Sequence, residues 1–380
     1  MKKFFEFFQR KKIFVPPISS VNLDHKMLPD VNELGRLVPL EDGDDDALLV
    51  LPSSGTSRQF AHRWVVQSQK KFMNQAQAVV DHFSIEGGCR WGLFIPAFHV
   101  GGLALKARAW LTQGEVIDCS QNKWDPIKAV ELIKEYDIAY ISWVPTQLFD
   151  VVQKGLEAPS RIKRVFIGGA RLEASIEKRA EELGWPLIVT YGMTETNAFF
   201  AYRRGGVSSY QVLPQYEIKI EGNHLWIRSP LLFKGYWEQG CFLGKQVDDE
   251  GFWLAPDLVD GNNGHFFRVI GRSQEDYFKC GGRGFSASLV CLRLAEWFQK
   301  NHLLLRWEGL VCEDQRLGNL FCLVLDKSFA HYEIPLVSFL KEAFPGLKFR
   351  LHFIEEGQWP TTPSGKVHLA QLKQSICQQV

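Results

Sequence analysis

Five residues in a row, Tyr191-Gly192-Met193-Thr194-Glu195, bring together an aromatic ring, a glycine, a hydroxyl and a carboxylate. A ring can stack on a purine and a glycine lets backbone approach a ligand closely. A threonine hydroxyl can bond a phosphate oxygen, and a glutamate can hold Mg²⁺. The set follows Leu187-Ile188-Val189, an apolar run expected to be a buried strand, with Thr190 between them. The same residues also fit a plain strand end with Thr194 capping a helix. Other stretches decide between the two.

Four further segments offer chemistry. Ser53-Ser54-Gly55-Thr56-Ser57 sets four hydroxyls around one glycine just after the apolar run Ala47–Leu51, which suits a phosphate cradle of backbone N–H groups and hydroxyls. It has no Gly-Lys-Ser/Thr and so is not a Walker loop; a polar turn fits it equally. His99 stands before Gly101-Gly102, Gly168-Gly169-Ala170 closes an apolar run at Ile167, and Ser364-Gly365-Lys366 presents a lysine from a loop near the C-terminus. A structural histidine and a solvated lysine are the plain alternatives.

These segments share a placement. Apolar runs at 47–51, 91–95, 138–144, 164–167 and 187–189 alternate with helical stretches at 67–83, 125–136, 146–154 and 173–183. Asp125-Pro126 is an N-cap followed by proline at the first helical position, and Gly155 and Gly184 are stops. Such alternation predicts βαβ units and a largely parallel sheet, whose ligands sit beyond the carboxyl ends of the strands. The loops at Ser53, His99, Gly168 and Tyr191 all follow strands. From about residue 206 the pattern turns to short strands (216–220, 224–228, 251–254, 265–270). The polar run Ser273–Asp276 then leads to a small α+β region with a helix at 332–344. The expected organisation is a large α/β domain over 1–272 that contains a β-rich subdomain at 206–272, a hinge linker at 273–276 and a small mobile lid at 277–380.

Composition bounds the classes. The chain has 380 residues, 46% of them hydrophobic, and a formal net charge of +1, which gives no bulk reason to expect nucleic acid or a membrane surface. The eight cysteines form no C-x-x-C pair, so zinc is not indicated and a reduced, cytoplasmic setting is expected. No apolar run reaches a membrane span. Residues 1–10 are expected to form a short amphipathic helix, without the apolar core of a signal peptide.

Taken in order, the segments resemble the adenylate-forming acyl- and aryl-CoA synthetases over residues 47 to 370. Ser53–Ser57 resembles their pyrophosphate loop, Phe98-His99-Val100-Gly101-Gly102-Leu103 their FHxxGL stretch, and Gly168–Ala170 their adenine turn. Tyr191–Glu195 matches YGxTE, and Leu232–Trp237 resembles xxxGYW. Asp257 and Arg272 fall where the ribose-binding pair falls. Phe278-Lys279-Cys280-Gly281-Gly282 is similar to the glycine turn of the CoA tunnel, and Pro363–Lys366 to the loop of the catalytic lysine. Ser142-Trp143-Val144-Pro145-Thr146-Gln147-Leu148 is most similar to the members that take o-succinylbenzoate. There are departures: Ser57-Arg58-Gln59-Phe60 lacks the loop's usual glycine and lysine, and Arg58 or Arg63 is expected to supply the charge.

What the resemblance implies is a two-step ligase with ATP, Mg²⁺ and CoA. A carboxylate attacks the α-phosphate of ATP, and CoA thiol then displaces AMP from the acyl-adenylate. Glu195 would hold Mg²⁺, and Thr194 and Ser53–Ser57 phosphate oxygens. Tyr191, Gly192 and Gly168–Ala170 would flank the adenine, and Asp257 with Arg272 the ribose. Ser142, Thr146 and Gly192 would border the acid, His99 the acyl and pantetheine path, and Lys279, Gly281 and Gly282 the CoA. Lys366 would bridge the acid's carboxylate and the α-phosphate. Partners are then small molecules, with no nucleic acid and no membrane span; an oligomer stays open. Another acid, or a nucleotide-binding relative without catalysis, are the alternatives, and a module loading a carrier protein is disfavoured.

Overall fold

A computed structural model describes residues 13–14, 47–52, 63–120, 123–238, 240–261, 264–272, 277–280, 283–314, 317–362 and 365–377. The serine-rich loop 53–57, Arg58, the linker 273–276, Gly281, Gly282 and residues 1–10 lie outside these, as do the side chains of Arg272 and Lys279.

Strands β1 (Ile13–Phe14), β2 (Leu48–Pro52) and β3 (Trp64–Ser68) precede helix α1 (Gln69–His82). Alternation follows: β4 (Arg90–Leu93), α2 (Val100–Leu111), β5 (Glu115–Asp118), α3 (Pro126–Glu135), β6 (Ile138–Trp143), α4 (Pro145–Gln153), β7 (Arg164–Ile167), α5 (Ala174–Glu182) and β8 (Leu187–Met193). A run of strands comes next: β9 (Ala198–Arg203), β10 (Tyr210–Val212), β11 (Glu217–Glu221), β12 (His224–Arg228), β13 (Gly235–Glu238), β14 (Cys241–Gly244), β15 (Trp253–Asp260) and β16 (Phe266–Arg272). The C-terminal part holds β17 (Tyr277–Cys280), β18 (Arg283–Ser286), α6 (Ala287–Lys300), β19 (Trp307–Asp314), β20 (Gly318–Asp326), α7 (Glu333–Ala343), β21 (Phe349–Ile354) and α8 (Leu369–Cys377).

The helices begin where local chemistry dictates. Ser68 caps α1 by accepting from the Lys71 amide at 3.0 Å, and Asp125 caps α3 through the amides of Ile127 and Lys128. Gln147 fixes the entry to α4: its side-chain oxygen accepts from the Val144 amide at 3.0 Å, and its amide donates to the Phe94 carbonyl at 3.2 Å.

Strands β4 to β8 pair in parallel, in the order β8-β7-β6-β4-β5. Both faces are covered, which is why these strands read as unbroken apolar runs. Ala139, Phe166 and Ile188 pack on one side with Val79 of α1, Phe83 just beyond its end, and Leu105 and Ala109 of α2. Ile141, Val165, Ile167 and Val189 pack on the other with Ile133, Leu148 and Ala180. Each such fully buried aliphatic or aromatic side chain contributes roughly 1.5–3 kcal/mol.

At β8 the sheet changes sense. β9 pairs with it antiparallel, and β10, β16, β15, β12 and β11 extend the same sheet to eleven strands. The strands expected together as a β-rich subdomain therefore divide: most continue the main sheet, while β13 and β14 join β3, β2 and β1 in a second one. The last two residues of β3, Gln67 and Ser68, lie where the sequence suggests the start of α1. A third sheet, β18-β17-β20-β19 with β21 beside β20, carries α6 and α7 on its own core of Phe278, Leu294, Phe298, Phe321, Leu336 and Leu340.

Among the described residues, no helix is long and apolar enough to cross a membrane. Cys89, Cys119, Cys241, Cys280, Cys291 and Cys322 are free thiols; Cys312 is disulfide-bonded, a departure from a fully reduced set.

Candidate active site

A cavity of about 1380 Å³ opens beyond the carboxyl ends of β6, β7 and β8 and is closed on its far side by the C-terminal part. His99, Ser142, Gly168 to Ala170, Tyr191 to Glu195, Asp257 and Lys366 all line it.

The strand ends are tied to one another. The Thr190 hydroxyl donates to the Ile167 carbonyl at 2.9 Å, and the Gly168 amide donates to the Trp143 carbonyl at 3.2 Å. These bonds hold the Gly168-Gly169-Ala170 turn over the end of β6. After Met193 the chain makes one 3₁₀ turn, Thr194–Thr196, rather than an α-helix, and re-enters the sheet as β9. The Thr196 hydroxyl stitches that turn to Met193 and Ala198. Only glycine fits at 192, since a Cβ there would stand 2.1 Å from the Ala198 carbonyl oxygen.

Thr194 is buried, and its carbonyl accepts from the Gln67 side chain on β3. Glu195 accepts from the Tyr236 hydroxyl at 3.0 Å. Burial first, and then Glu195's charge, raise the Tyr236 phenol, so it stays protonated and donates. Tyr236 is delivered by β13, paired to β3 opposite Val65. The Arg63 guanidinium lies 4.5 Å over the Tyr236 ring and bonds Glu238 at 3.0 Å. Of the two arginines offered for the missing lysine's charge, Arg63 lines the cavity.

Glu195 offers one carboxylate, and no group of three or more His, Cys, Asp or Glu suited to a metal occurs among the described residues. That donor set fits Mg²⁺, which keeps several waters and takes one or two carboxylates plus substrate phosphates.

Asp257 is buried on β15, and one of its carboxylate oxygens accepts from the Tyr191 hydroxyl at 2.6 Å. The Tyr191 ring packs on Phe200, Tyr210 and Phe267. Arg272 lies opposite Asp257 in the β15–β16 register.

Lys366 reaches the same place from the C-terminal part. Its loop is a tight hairpin: Thr362 donates its amide to the Lys366 carbonyl at 2.7 Å, and Thr361 bridges Val367. The Lys366 side chain lies across Gly169, where a Cβ would stand 2.6 Å from Cε and 2.8 Å from Nζ. His99 is the N-cap residue of α2 without a side-chain cap bond. Burial first, then the Lys366 charge, pull its imidazole down to about 4, so at neutral pH it is uncharged.

One side chain takes an unexpected place. The Thr146 hydroxyl donates to the Gly365 carbonyl, so it holds the lysine loop, and Thr146 does not line the cavity where Ser142 does. Ser142 is buried at the end of β6 and lines the cavity. Sequence inspection missed Arg108. It projects from α2 into the cavity wall at 2% exposure. Its guanidinium lies 4.7 Å over Phe199 and 5.7 Å over Phe166. Its Nε and one Nη have no hydrogen-bond partner among the described residues. Burial lowers it to about 9, which leaves it cationic at neutral pH. A buried cation with unsatisfied donors suits an anionic group that enters the cavity.

A family model described as AMP-binding enzyme matches residues 25–237. The 2-succinylbenzoate–CoA ligase of Escherichia coli (strain K12) is 28% identical over 227 residues, 59% of this chain and 48% of that protein. The chain thus spans about half the length of that relative. Among solved structures, E. coli MenE with bound OSB-AMS superposes with a TM-score of 0.72 at 20% identity, covering 90% of this chain and 72% of that one. The o-succinylbenzoate coenzyme A synthetase (MenE) of Bacillus subtilis in complex with ATP and magnesium gives 0.66 at 20% identity, over 86% and 69%. These likenesses show a shared fold, mixed α/β with the main sheet and the smaller C-terminal one.

Proposed function

The chain belongs to the AMP-binding enzyme family, and on that premise we propose that it ligates o-succinylbenzoate to CoA through an acyl-adenylate, releasing AMP and pyrophosphate. One observation carries the choice of acid: Arg108, buried, with its Nε and one Nη lacking a hydrogen-bond partner among the described residues, set over Phe199 and Phe166 in the cavity wall. An acid with one carboxylate would leave that cation uncompensated, whereas o-succinylbenzoate has one carboxylate to react and one for the arginine. The curated relative's name supports the same acid.

In this proposal the adenine lies between the Gly168–Ala170 turn and Tyr191, and the ribose hydroxyls donate to Asp257 with Arg272 beside it. Thr194, Arg63 and the 53–57 loop bind phosphate oxygens. Glu195 holds Mg²⁺, which when bound neutralises charge on the phosphates. Lys366 lies where the attacking carboxylate meets the α-phosphate and stabilises the negative charge that accumulates there. Neutral His99 and Ser142 line the acyl end. Lys279, Gly281 and Gly282 border the CoA path, and a hinge at 273–276 divides the domain over 1–272 from the lid at 277–380. The cytoplasm, where ATP and CoA meet, is the place of action.

The test is pyrophosphate release and CoA consumption with o-succinylbenzoate against benzoate and medium-chain fatty acids. Arg108→Leu should raise KM for o-succinylbenzoate by roughly 10- to 100-fold, the worth of a charge-assisted hydrogen bond. It should leave whatever turnover benzoate supports unchanged. Equal use of all acids by the wild type would remove the assignment of the acid, and no adenylate from any acid would favour a non-catalytic nucleotide-binding protein.

A further inference from the structure

Four residues of α4 at helical spacing, Thr146, Phe149, Asp150 and Gln153, form one face of that helix. All four touch the C-terminal part. Thr146 donates to the Gly365 carbonyl. The Arg306 guanidinium lies 5.2 Å over the Phe149 ring and bonds an Asp150 carboxylate oxygen at 2.7 Å. Gln153 donates to the Leu304 carbonyl at 3.0 Å. The second Asp150 oxygen accepts from the Trp124 indole at 2.9 Å, which fixes the carboxylate in place.

Arg306 also faces the other way. Its guanidinium is 5.9 Å from the ring of Trp359, a buried residue directly before the hairpin that carries Lys366. Pro360 accepts from the His368 amide at 2.8 Å and closes that hairpin's base. The arginine and the aspartate keep only 14% and 24% of their side-chain surface exposed, so water screens the pair less than it does a surface pair. A flat guanidinium near two rings with a bond to a fixed carboxylate defines direction as well as distance, which a lysine would not.

We propose that Arg306 is a positioning residue for adenylation: clamped to Asp150 and within cation–π reach of both Phe149 and Trp359, it seats the Lys366 hairpin so that the lysine lies across Gly169. This deepens the ligase reading and rests on it for the role of Lys366. The location of Lys366 itself does not depend on that reading.

The experiment has two arms on the full chain, with the wild type, Arg306→Gln, Arg306→Lys and Asp150→Asn. In the first, single-turnover formation of the acyl-adenylate from o-succinylbenzoate and ATP is timed, alongside thioester formation from pre-made adenylate and CoA. Arg306→Gln and Asp150→Asn should slow adenylate formation about tenfold, between the effects of exposed and of buried pairs. The second half-reaction should hold within about twofold, and Arg306→Lys should fall between the wild type and Arg306→Gln. In the second arm, Lys366 is labelled with an amine-reactive reagent and read by peptide mass spectrometry. Its labelling should rise several-fold in Arg306→Gln and in Asp150→Asn, with a smaller rise in Arg306→Lys. Unchanged labelling in Arg306→Gln, or equal slowing of both half-reactions, would overturn the inference. A wild type that forms no adenylate would remove the ligase reading, and the labelling arm would still decide whether Arg306 seats the hairpin. A melting curve for each variant separates a lost seat from a lost fold.

Discussion

Lys366 and Gly169 occupy one another's space: a single methyl group on the glycine would stand 2.6 Å from the lysine's Cε. Gly169 also has φ +85°, a region that L side chains rarely adopt. Gly169→Ala should therefore displace Lys366 without touching its charge. Adenylate formation should drop by about 10²-fold, the usual effect of removing one preorganised electrostatic donor. Thioester formation from supplied adenylate should be spared. Equal loss in both steps would show that the alanine had disturbed the cavity as a whole.

The 2.6 Å bond from Tyr191 to Asp257 joins the two strands assigned to the nucleotide. Tyr191→Phe should raise KM for ATP by roughly tenfold, since a hydrogen bond to a charged group contributes about 1.5–3 kcal/mol. Asp257→Asn should also lose discrimination between ATP and 2′-deoxyATP, because the ribose hydroxyls then lose their carboxylate. Steady-state kinetics with both nucleotides measures this, and unchanged preference in Asp257→Asn would move the ribose elsewhere.

His99 is held near 4 by burial and by the Lys366 charge. Between that value and the ordinary 6.5 the unfolded chain binds the proton and the folded one does not, so stability from this group falls as pH drops from 6.5 towards 4. Two results should follow. His99→Gln should flatten that part of the stability–pH curve. Lys366→Met should raise the His99 titration midpoint, by NMR, to a value still below 6.5, because burial is the larger cause.

Glu308 on β19 lies near Glu173 at the start of α5. Burial pushes its carboxyl up to about 7; Glu173's charge adds to this, while Arg306 and Arg171 offset part of it. When the C-terminal part is seated, Glu308 thus keeps its proton to a higher pH than in water. Seating should weaken as pH rises from about 4.5 to 7 and level off above. Lys366 labelling, expressed relative to a free lysine standard at each pH, should climb across this range in the wild type and stay flat in Glu308→Gln. A flat wild-type profile would mean that the carboxyl ionises without strain.

Much of this was legible from the chain. The strands at 138–143, 164–167 and 187–193 are buried on both faces, so each reads as an apolar run with a marked stop. Tyr191 and Glu195 sit at or beside the end of β8, which local patterning reveals, whereas Asp257, inside β15, was reached through the family resemblance. Less legible was β3, because Trp64-Val65-Val66 runs into α1 with only Ser68 as punctuation. Arg108 was hidden for a different reason. Lys106 and Arg108 alternate with alanines and look like a solvated basic face, yet on a helix they point about 200° apart. Arg108 shares the face of Ala104 and Leu105, both fully buried; that spacing was the available signal. The seating of the C-terminal part on α4 depends on side chains more than 150 apart in sequence, such as Asp150 and Arg306, which no local window joins.

The pairing of β3 with β13 has a consequence during synthesis. Val65 and Trp64 meet Tyr236 and Trp237, which leave the ribosome only after some 170 further residues, or roughly ten to thirty seconds at ordinary elongation rates. Through that interval the strand edge at Trp64-Val65-Val66 has no native neighbour on one side, and such an apolar edge recruits other strands. Nascent or truncated chains that stop before residue 235 should therefore be the species that chaperones hold and that aggregate on overexpression. The same late event carries Tyr236 to Glu195, so the carboxylate assigned to magnesium acquires its hydrogen-bond donor only when that edge is finally covered.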